Sequence, residues 1–301
     1  MKTRTILVAT LALMTLTALW SCRDEVINHL ETPQEIDNRI TNDGAINSLF
    51  SVSDDLQVRF SRGNLQYQAS TNTWRFAENQ YDYIGAGNAN TSNTYAEWID
   101  LFGWGTSGWN SGATAYEPYN ISSNPLEYNP GGNYTNNITG DFDKADWGIQ
   151  NAISNGGDQA GKWRTLTNSE WTYLLGNSEK RIDKYGLATI DTIHGLIILP
   201  DKWNQPYGLS FRPGVQMHYA TNIYTVEQWK RMETRGAVFL PASGLRNGKA
   251  LYYLNEDGYY WSSTYNDEHD AYAANFSKNL IRPDAGNRRQ RGRAVRLVQE
   301  D

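Results

Sequence analysis

The chain has 301 residues, a formal charge of −6 and one cysteine. The acidic balance argues against general nucleic-acid binding, and a lone cysteine excludes an internal disulfide. Aromatic usage is skewed, with 11 Trp and 19 Tyr against 8 Phe. Rings with an apolar face and a polar edge serve equally as filler in a loop-rich fold and as contact surface for carbohydrate or protein.

Lys2 and Arg4 precede an apolar run from Ile6 to Leu19, which ends in Leu19-Trp20-Ser21-Cys22. This is the order of an export signal over residues 1–21, and the run is short for a membrane-spanning helix. Its end resembles a bacterial lipobox, which implies cleavage before Cys22 and lipidation of that thiol. A lipidated thiol is unavailable as a nucleophile, metal ligand or disulfide half, and two or more acyl chains make a stable anchor. Residues 22–48 read as the lipidated cysteine and an acidic tether: Asp24, Glu25, Glu31, Glu35, Asp37 and Asp43 stand against Arg23 and Arg39. A flexible coil of this length spans roughly 25–30 Å. Asp24-Glu25 resembles the acidic cue that takes some Bacteroidetes lipoproteins to the cell surface. The expected location is the outer membrane, at the cell surface, with the periplasmic face as the alternative.

A single domain is expected over residues 49–301, without internal repeats. Phe50-Ser51-Val52-Ser53 and Gln57-Val58-Arg59-Phe60-Ser61 alternate apolar and polar residues around an Asp54-Asp55 turn, as half-buried strands do. Leu65-Gln66-Tyr67 and Trp74-Arg75-Phe76 form a second pair. Residues 85–140 are dense in Gly, Asn, Ser, Thr and Tyr. An irregular segment of that length is either functional or tied down by its aromatics; Trp98, Phe102, Trp104 and Trp109 are the candidate anchors.

The first helix is expected from Lys144 to Ser154, capped by Asp143 and ended by Gly156-Gly157. A second follows Thr167, where Thr167 and Glu170 have capping-box spacing and Trp171, Leu174 and Leu175 share a face. A third follows Thr225, with Gln228 at the same offset, Trp229 and Met232 inward, and Gly236 as its stop. Strands are expected at 195–199, 237–240, 259–263, 271–276 and 294–298. Helices amid short, mostly antiparallel strands give an α+β fold.

Trp163-Arg164-Thr165-Leu166-Thr167-Asn168-Ser169-Glu170-Trp171 resembles the W-R-L-P-T-x-x-E-W signature of the formylglycine-generating-enzyme-like branch of the C-type lectin fold, with Thr165-Leu166 where Leu-Pro is usual. Phe239-Leu240-Pro241-Ala242-Ser243-Gly244-Leu245-Arg246 is similar to that group's L-P-A-x-G-x-R. Tyr260-Trp261-Ser262-Ser263-Thr264, with Ala273, Phe276 and residues 292–298, is similar to its closing strands. Together they resemble the Fibrobacter succinogenes major paralogous domain type of Bacteroidetes lipoprotein, well over 140–298 and more weakly over 50–140. The resemblance implies a C-type-lectin-like domain of short, mostly antiparallel strands with about three helices and long loops. Enzymatic activity does not carry over, because that group uses reactive cysteines and the mature chain has none free. On physical grounds Trp163, Trp171 and Trp261 are core rings, and Arg296 between two apolar pairs is a structural salt-bridge partner.

Catalytic patterns are not found. His29, His194, His218 and His269 are scattered, with no i, i+4 pair. There is no G-x-S-x-G elbow and no Walker or dinucleotide glycine pattern. Glu170, Glu227 and Glu233 fall on expected helices, and Asp141 and Asp143 read as turn and cap residues, where a glycosidase pair would sit on strands or their ends. No enzyme, catalytic residue, metal site or cofactor is expected. Calcium-dependent sugar binding stays open, although Gln205-Pro206-Tyr207, Glu117-Pro118-Tyr119-Asn120 and Tyr265-Asn266-Asp267 each depart from the lectin motifs. Asp191-Thr192-Ile193 resembles the short O-glycosylation acceptor of Bacteroidetes, at Thr192.

Residues 278–301 carry seven basic side chains against three acidic ones, inside an acidic chain. Three readings follow. The arginines of a solvated hairpin pair with the acidic body. Or they form a face for an anionic or sugar ligand, since Arg forks suit carboxylate and sulfate while Tyr and Asn suit hydroxyls. Or the segment resembles the variable face of retroelement-diversified C-type-lectin-fold receptors, which gather Asn, Tyr, Asp, His, Ser and Arg at the C-terminus. The expected contact residues are Tyr265, Asn266, Asp267, His269, Asp270, Asn287, Arg288, Arg289 and Arg291. The expected role is a lipid-anchored, non-catalytic envelope protein that binds a glycan or a protein surface. The alternative is a structural or assembly lipoprotein of a surface fibre or complex. Membrane contact is expected through the lipid alone, and no nucleic acid partner is expected.

Overall fold

Alternation at the start of the domain becomes β1 (Phe50–Ser51) and β2 (Gln57–Phe60), antiparallel with Phe50 opposite Val58. Phe50, Val58 and Phe60 are fully buried. The structure, a computed structural model, describes residues 39–176, 178–214 and 218–301. The export signal, Cys22 and residues 23–38 of the tether lie outside the described residues. Among the described residues no helix is long and apolar enough to cross a membrane.

Further along, β3 (Leu65–Gln68), β4 (Thr73–Phe76) and β5 (Trp98–Ile99) make a small antiparallel sheet with β3 in the middle. Then come α1 (Trp147–Gln150), β6 (Arg164–Thr165) and α2 (Asn168–Leu175). Next are β7 (Tyr185–Ile190), β8 (Ile193–Ile198), β9 (Ile223–Tyr224), α3 (Val226–Thr234) and β10 (Val238–Pro241). Their strands form a sheet in the order β10-β8-β7-β9, parallel only between β7 and β9. A short hairpin, β11 (Leu245–Asn247) and β12 (Ala250–Tyr252), leads to the meander β13 (Gly258–Tyr265), β14 (Asp270–Ser277) and β15 (Leu280–Arg288). Finally β16 (Leu297–Glu300) enters the first sheet between β2 and β6, with Val298 opposite Phe60 and Leu297 opposite Thr165. Several small, mostly antiparallel sheets with three α-helices among the described residues make an α+β fold.

Both expected capping boxes form. Thr167 Oγ1 accepts from Glu170 N at 3.2 Å, and Glu170 Oε2 accepts from Thr167 N at 2.7 Å. Thr225 and Gln228 repeat the exchange at 3.2 and 2.9 Å. The first helix differs from expectation. A 3-10 stretch over Gly140–Ala145 precedes a single α-turn, and the cap is Asp146, not Asp143. Asp146 accepts from Gly148 N at 3.0 Å and from Thr165 N at 2.7 Å. That second bond staples the helix start to β6, a tertiary tie that local spacing does not reveal.

The packed region also begins earlier than expected. Residues 39–301 form one compact unit. Within the expected tether, Ala45 and Ile46 are buried, Ala45 pairs with Ser61, and Arg39 pairs with Glu233. Ile40 packs on the same core and Asp43 pairs with Lys162 at 2.7 Å, so partners far along the chain hold this segment in place.

Tyr260 and Trp261 are neighbours on β13 and face opposite sides, as strand geometry requires. Tyr260 lies in one core cluster with Phe50 and Phe60 and makes ring contacts with Trp171 and Phe276; Trp261 lies in a second cluster with Trp74, Phe102, Trp104, Trp147 and Trp163. Trp163, Trp171 and Trp261 are core rings, as expected. The indoles do more than fill space. Trp104 donates to Ser262 O at 2.8 Å, Trp147 to Thr106 O at 3.0 Å, Trp163 to Gly156 O at 2.7 Å and Trp261 to Phe102 O at 2.7 Å. A loop-rich interior buries carbonyls that no ladder satisfies, and Trp supplies bulk and a donor together. That is a physical reason for Trp where Phe would serve a regular core.

Candidate ligand-binding face

The end of the meander carries most of the expected contact residues. Asp267 builds the turn between β13 and β14: its Oδ1 accepts from His269 N at 2.8 Å and Asp270 N at 2.9 Å. An aspartate closing its own turn in this way is a local preference of the residue. The His269 amide bond, with that of Asp270 and the nearby Arg288 and His269 charges, outweighs slight burial and holds the Asp267 carboxyl below its ordinary range. Asp270 stands opposite Arg288 across β14 and β15, 3.4 Å from its Nε. Burial, then the Asp267 charge, pushes the Asp270 carboxyl up against the pull of Arg288. Tyr265 N donates to Asn137 Oδ1 at 2.9 Å, which ties the turn to the long irregular segment. Tyr265, Asn266, Asp267, His269, Asp270 and Arg288 are all at least partly exposed here, and Arg291 follows in the next turn.

Asn287 and Arg289 do not belong to the exposed set. Arg289 is fully buried and Asn287 is 6% exposed. Burial alternates strictly from Ala285 to Arg289, so Arg288 and Arg289 face opposite sides. The charge count along the chain did not include this parity. Arg289 Nη1 donates to Glu268 O at 3.0 Å and to the Asn129 side chain; Nη2 donates to Asp267 O and Tyr134 O, both at 2.9 Å. Its guanidinium lies 5.0 Å from the Trp104 ring. It therefore joins the turn to residues 129–134 from beneath. Asn287 Nδ2 donates to Ala285 O at 2.8 Å and Asn275 Oδ1 at 3.2 Å.

Other arginines of the basic tail also turn inward. Arg293 is buried 4.4 Å from the Tyr259 ring and 5.3 Å from the Trp261 ring. Arg296 donates to Gln80 Oε1 at 2.8 Å and Phe239 O at 3.3 Å. The salt bridge expected of Arg296 is replaced by amide and carbonyl oxygens. Arg246, outside the tail, does the same toward Gly248 O, Leu101 O and Asn120 O. Burial lowers Arg246, Arg289 and Arg296 to about 10 and Arg293 to about 9, so all four stay charged at neutral pH. Among the described residues only Arg288 of the tail ion-pairs with an acid, so the tail does not pair broadly with the acidic body. A guanidinium offers five donors in a fixed plane, which suits several misaligned carbonyls at once. Arg246 was missed as a tie because one arginine in a strand gives no signal of what lies across from it.

Clefts lie elsewhere among the described residues, three of which bear on function. The first, of about 480 Å³, is lined by Arg75, Tyr81, Tyr83 and Asp191, with exposed Thr192 at the β7–β8 turn among its walls. A second, of about 370 Å³, surrounds Arg164 and Glu170. Glu170 is fully engaged there, by Arg164 at 2.7 and 2.9 Å and by Thr167 N. A third, of about 340 Å³, lies beside the β3–β4 hairpin. His194 is built into the fold, stacked on Tyr219 at 4.5 Å with Nδ1 2.7 Å from Asn255 O. No group of three or more His, Cys, Asp or Glu is placed to hold a metal among the described residues.

A family model described as a domain of unknown function (DUF8237) matches residues 217–298. The match spans the meander, its turn, and Arg246, Arg289, Arg293 and Arg296. No curated protein and no solved structure matches the chain.

Proposed function

We propose that this is a lipid-anchored, non-catalytic envelope protein with a C-type-lectin-like domain that binds a glycan or a protein surface at the end of the β13–β15 meander. The observation behind it is the Arg289 tie. A fully buried cation fixes the carbonyls of Asp267 and Glu268, directly under an exposed cluster of Asn266, Asp267, His269, Asp270 and Arg288. Holding polar groups of both signs in one geometry before contact lowers the entropy lost on binding. The C-type-lectin-like reading draws support from the signature residues, since Thr167 and Glu170 cap α2 while Trp163, Trp171 and Trp261 fill the core. The anchor rests on Cys22 and the residues around it.

The test uses the lipid-free domain, residues 39–301, on immobilised glycans and on envelope protein fractions. Asp267→Ala with Arg288→Ala is expected to abolish capture in a domain that keeps its far-UV spectrum, and Arg288→Ala alone, which leaves the Asp267 turn bonds in place, to weaken capture with little change in melting temperature. Capture that survives both changes would remove the meander end as the binding face. For the anchor, Cys22→Ala is expected to move the protein out of the membrane fraction.

A further inference from the structure

The cleft of about 340 Å³ lies between the β3–β4 hairpin, the irregular segment and the end of α1. Its walls include Tyr67, Asn72, Asn93, Glu117, Tyr119 and Gln150, and among the described residues no lysine, arginine or histidine lines it. An anionic ligand would find no counter-charge there.

Its hydrogen-bonding groups are largely unspent. Among the described residues, no side-chain hydrogen bond engages the amides of Gln150 and Asn93, which are at least partly exposed. Asn72 uses only its oxygen, which accepts from Tyr67 OH at 3.1 Å, and keeps its NH₂. Asn151, also in the wall, spends its NH₂ on Ser107 O and Trp147 O at 2.9 and 3.0 Å and keeps its oxygen. Glu117 shares a hydrogen bond with Tyr119. Burial pushes both the Glu117 carboxyl and the Tyr119 hydroxyl up, so Tyr119 keeps its proton and donates. Burial, with the Tyr119 and Glu117 charges added, raises Tyr67 to about 12.

Amides with open donors and acceptors, one carboxylate without a cation, and the partly exposed ring of Tyr119 match one kind of ligand. It carries many hydroxyls, each both donor and acceptor, no charge, and C–H faces that pack on rings. The volume falls at the lower end of the range for small-molecule pockets. We propose that this cleft binds a neutral saccharide. The site also gives the long Asn- and Tyr-rich segment a role beyond packing, since segments of this length are commonly functional. It is separate from the meander end and does not depend on that reading.

The experiment is an NMR and calorimetric titration of the 39–301 domain with mannose, galactose, N-acetylglucosamine, cellobiose and maltose. Glucuronate and sialic acid serve as charged controls. At least one neutral sugar is expected to bind in preference to both controls. Gln150→Ala and Glu117→Gln are each expected to weaken it about tenfold or more, at unchanged melting temperature. Gln150 is partly exposed, so its truncation leaves the fold intact. Asp267→Ala is expected to leave this binding untouched, which separates failure here from failure at the meander end. Absence of neutral-sugar binding up to about 10 mM, preference for the acidic sugars, or indifference to both cleft variants would each overturn the proposal.

Discussion

Arg289 Nη2 lies 2.9 Å from the carbonyl oxygen of Tyr134, a residue 155 positions earlier in the chain. With the bonds to Asp267 O and Glu268 O, one side chain joins two segments that share no strand pairing. Arg289→Ala would remove the donor that these partly buried carbonyls share and empty the buried space beside Trp104. Hydrogen bonds from a charged group are worth about 1.5–3 kcal/mol, so a loss of about 2–3 kcal/mol is expected. Arg289→Lys should recover little, because an ammonium cannot span the same acceptors as a planar fork. Denaturant unfolding checks both; an alanine variant within about 1 kcal/mol of the parent would contradict the tie.

Asp100 and Asp146 predict an acid-side gain in stability. Burial raises both to about 6 from an ordinary 3.8, against the hydrogen bonds that each accepts. Between those values the folded state binds more protons than the unfolded chain. Their contribution is fully present below about pH 4 and is lost as pH rises through about 6, on the order of 3 kcal/mol each. Carboxyl-carbon NMR should find two aspartates titrating near pH 6. If both titrated near 4, no such window would exist.

The two capping boxes should differ in worth. Thr225→Ala is expected to cost about 1 kcal/mol, the ordinary value of an N-cap. Thr167→Ala should cost more, because its partner Glu170 also receives Arg164 at 2.7 and 2.9 Å. Urea midpoints of the two variants give the comparison directly, and equal losses would mean that the Arg164 contact adds nothing.

Trp163→Phe separates filling from donating. The ring would still occupy the core, but Gly156 O would lose its 2.7 Å donor. A loss of about 2–3 kcal/mol is expected from the unmet carbonyl and the lost ring volume. A nearly neutral variant would show that the indole N–H is dispensable.

What could be read along the chain was what the chain decides locally. Thr167 with Glu170, and Thr225 with Gln228, cap helices through bonds three residues long, and both form. The hairpin alternation and the buried tryptophans also follow from pattern alone. The misreadings share one cause, a partner far away in sequence. Asp146 displaced Asp143 as a cap because Thr165 N was within reach. Residues 39–48 pack because Ser61 pairs with Ala45. Arg288 and Arg289 are equivalent in a charge count and opposite in space, because strand parity is fixed by where β15 docks. The cleft beside Tyr67 leaves no mark along the chain, since Asn93, Glu117 and Gln150 become neighbours only after the irregular segment has wrapped.

The placement of β16 bears on when the molecule can exist at all. β16 sits between β2 and β6, so the first sheet stays split until residues 297–300 join it. Pairings that close so large a loop form late and slowly. Without β16 the two parts of that sheet have no shared partner, so a chain cut before residue 297 would leave the inner edge of β2 open to a strand from another molecule.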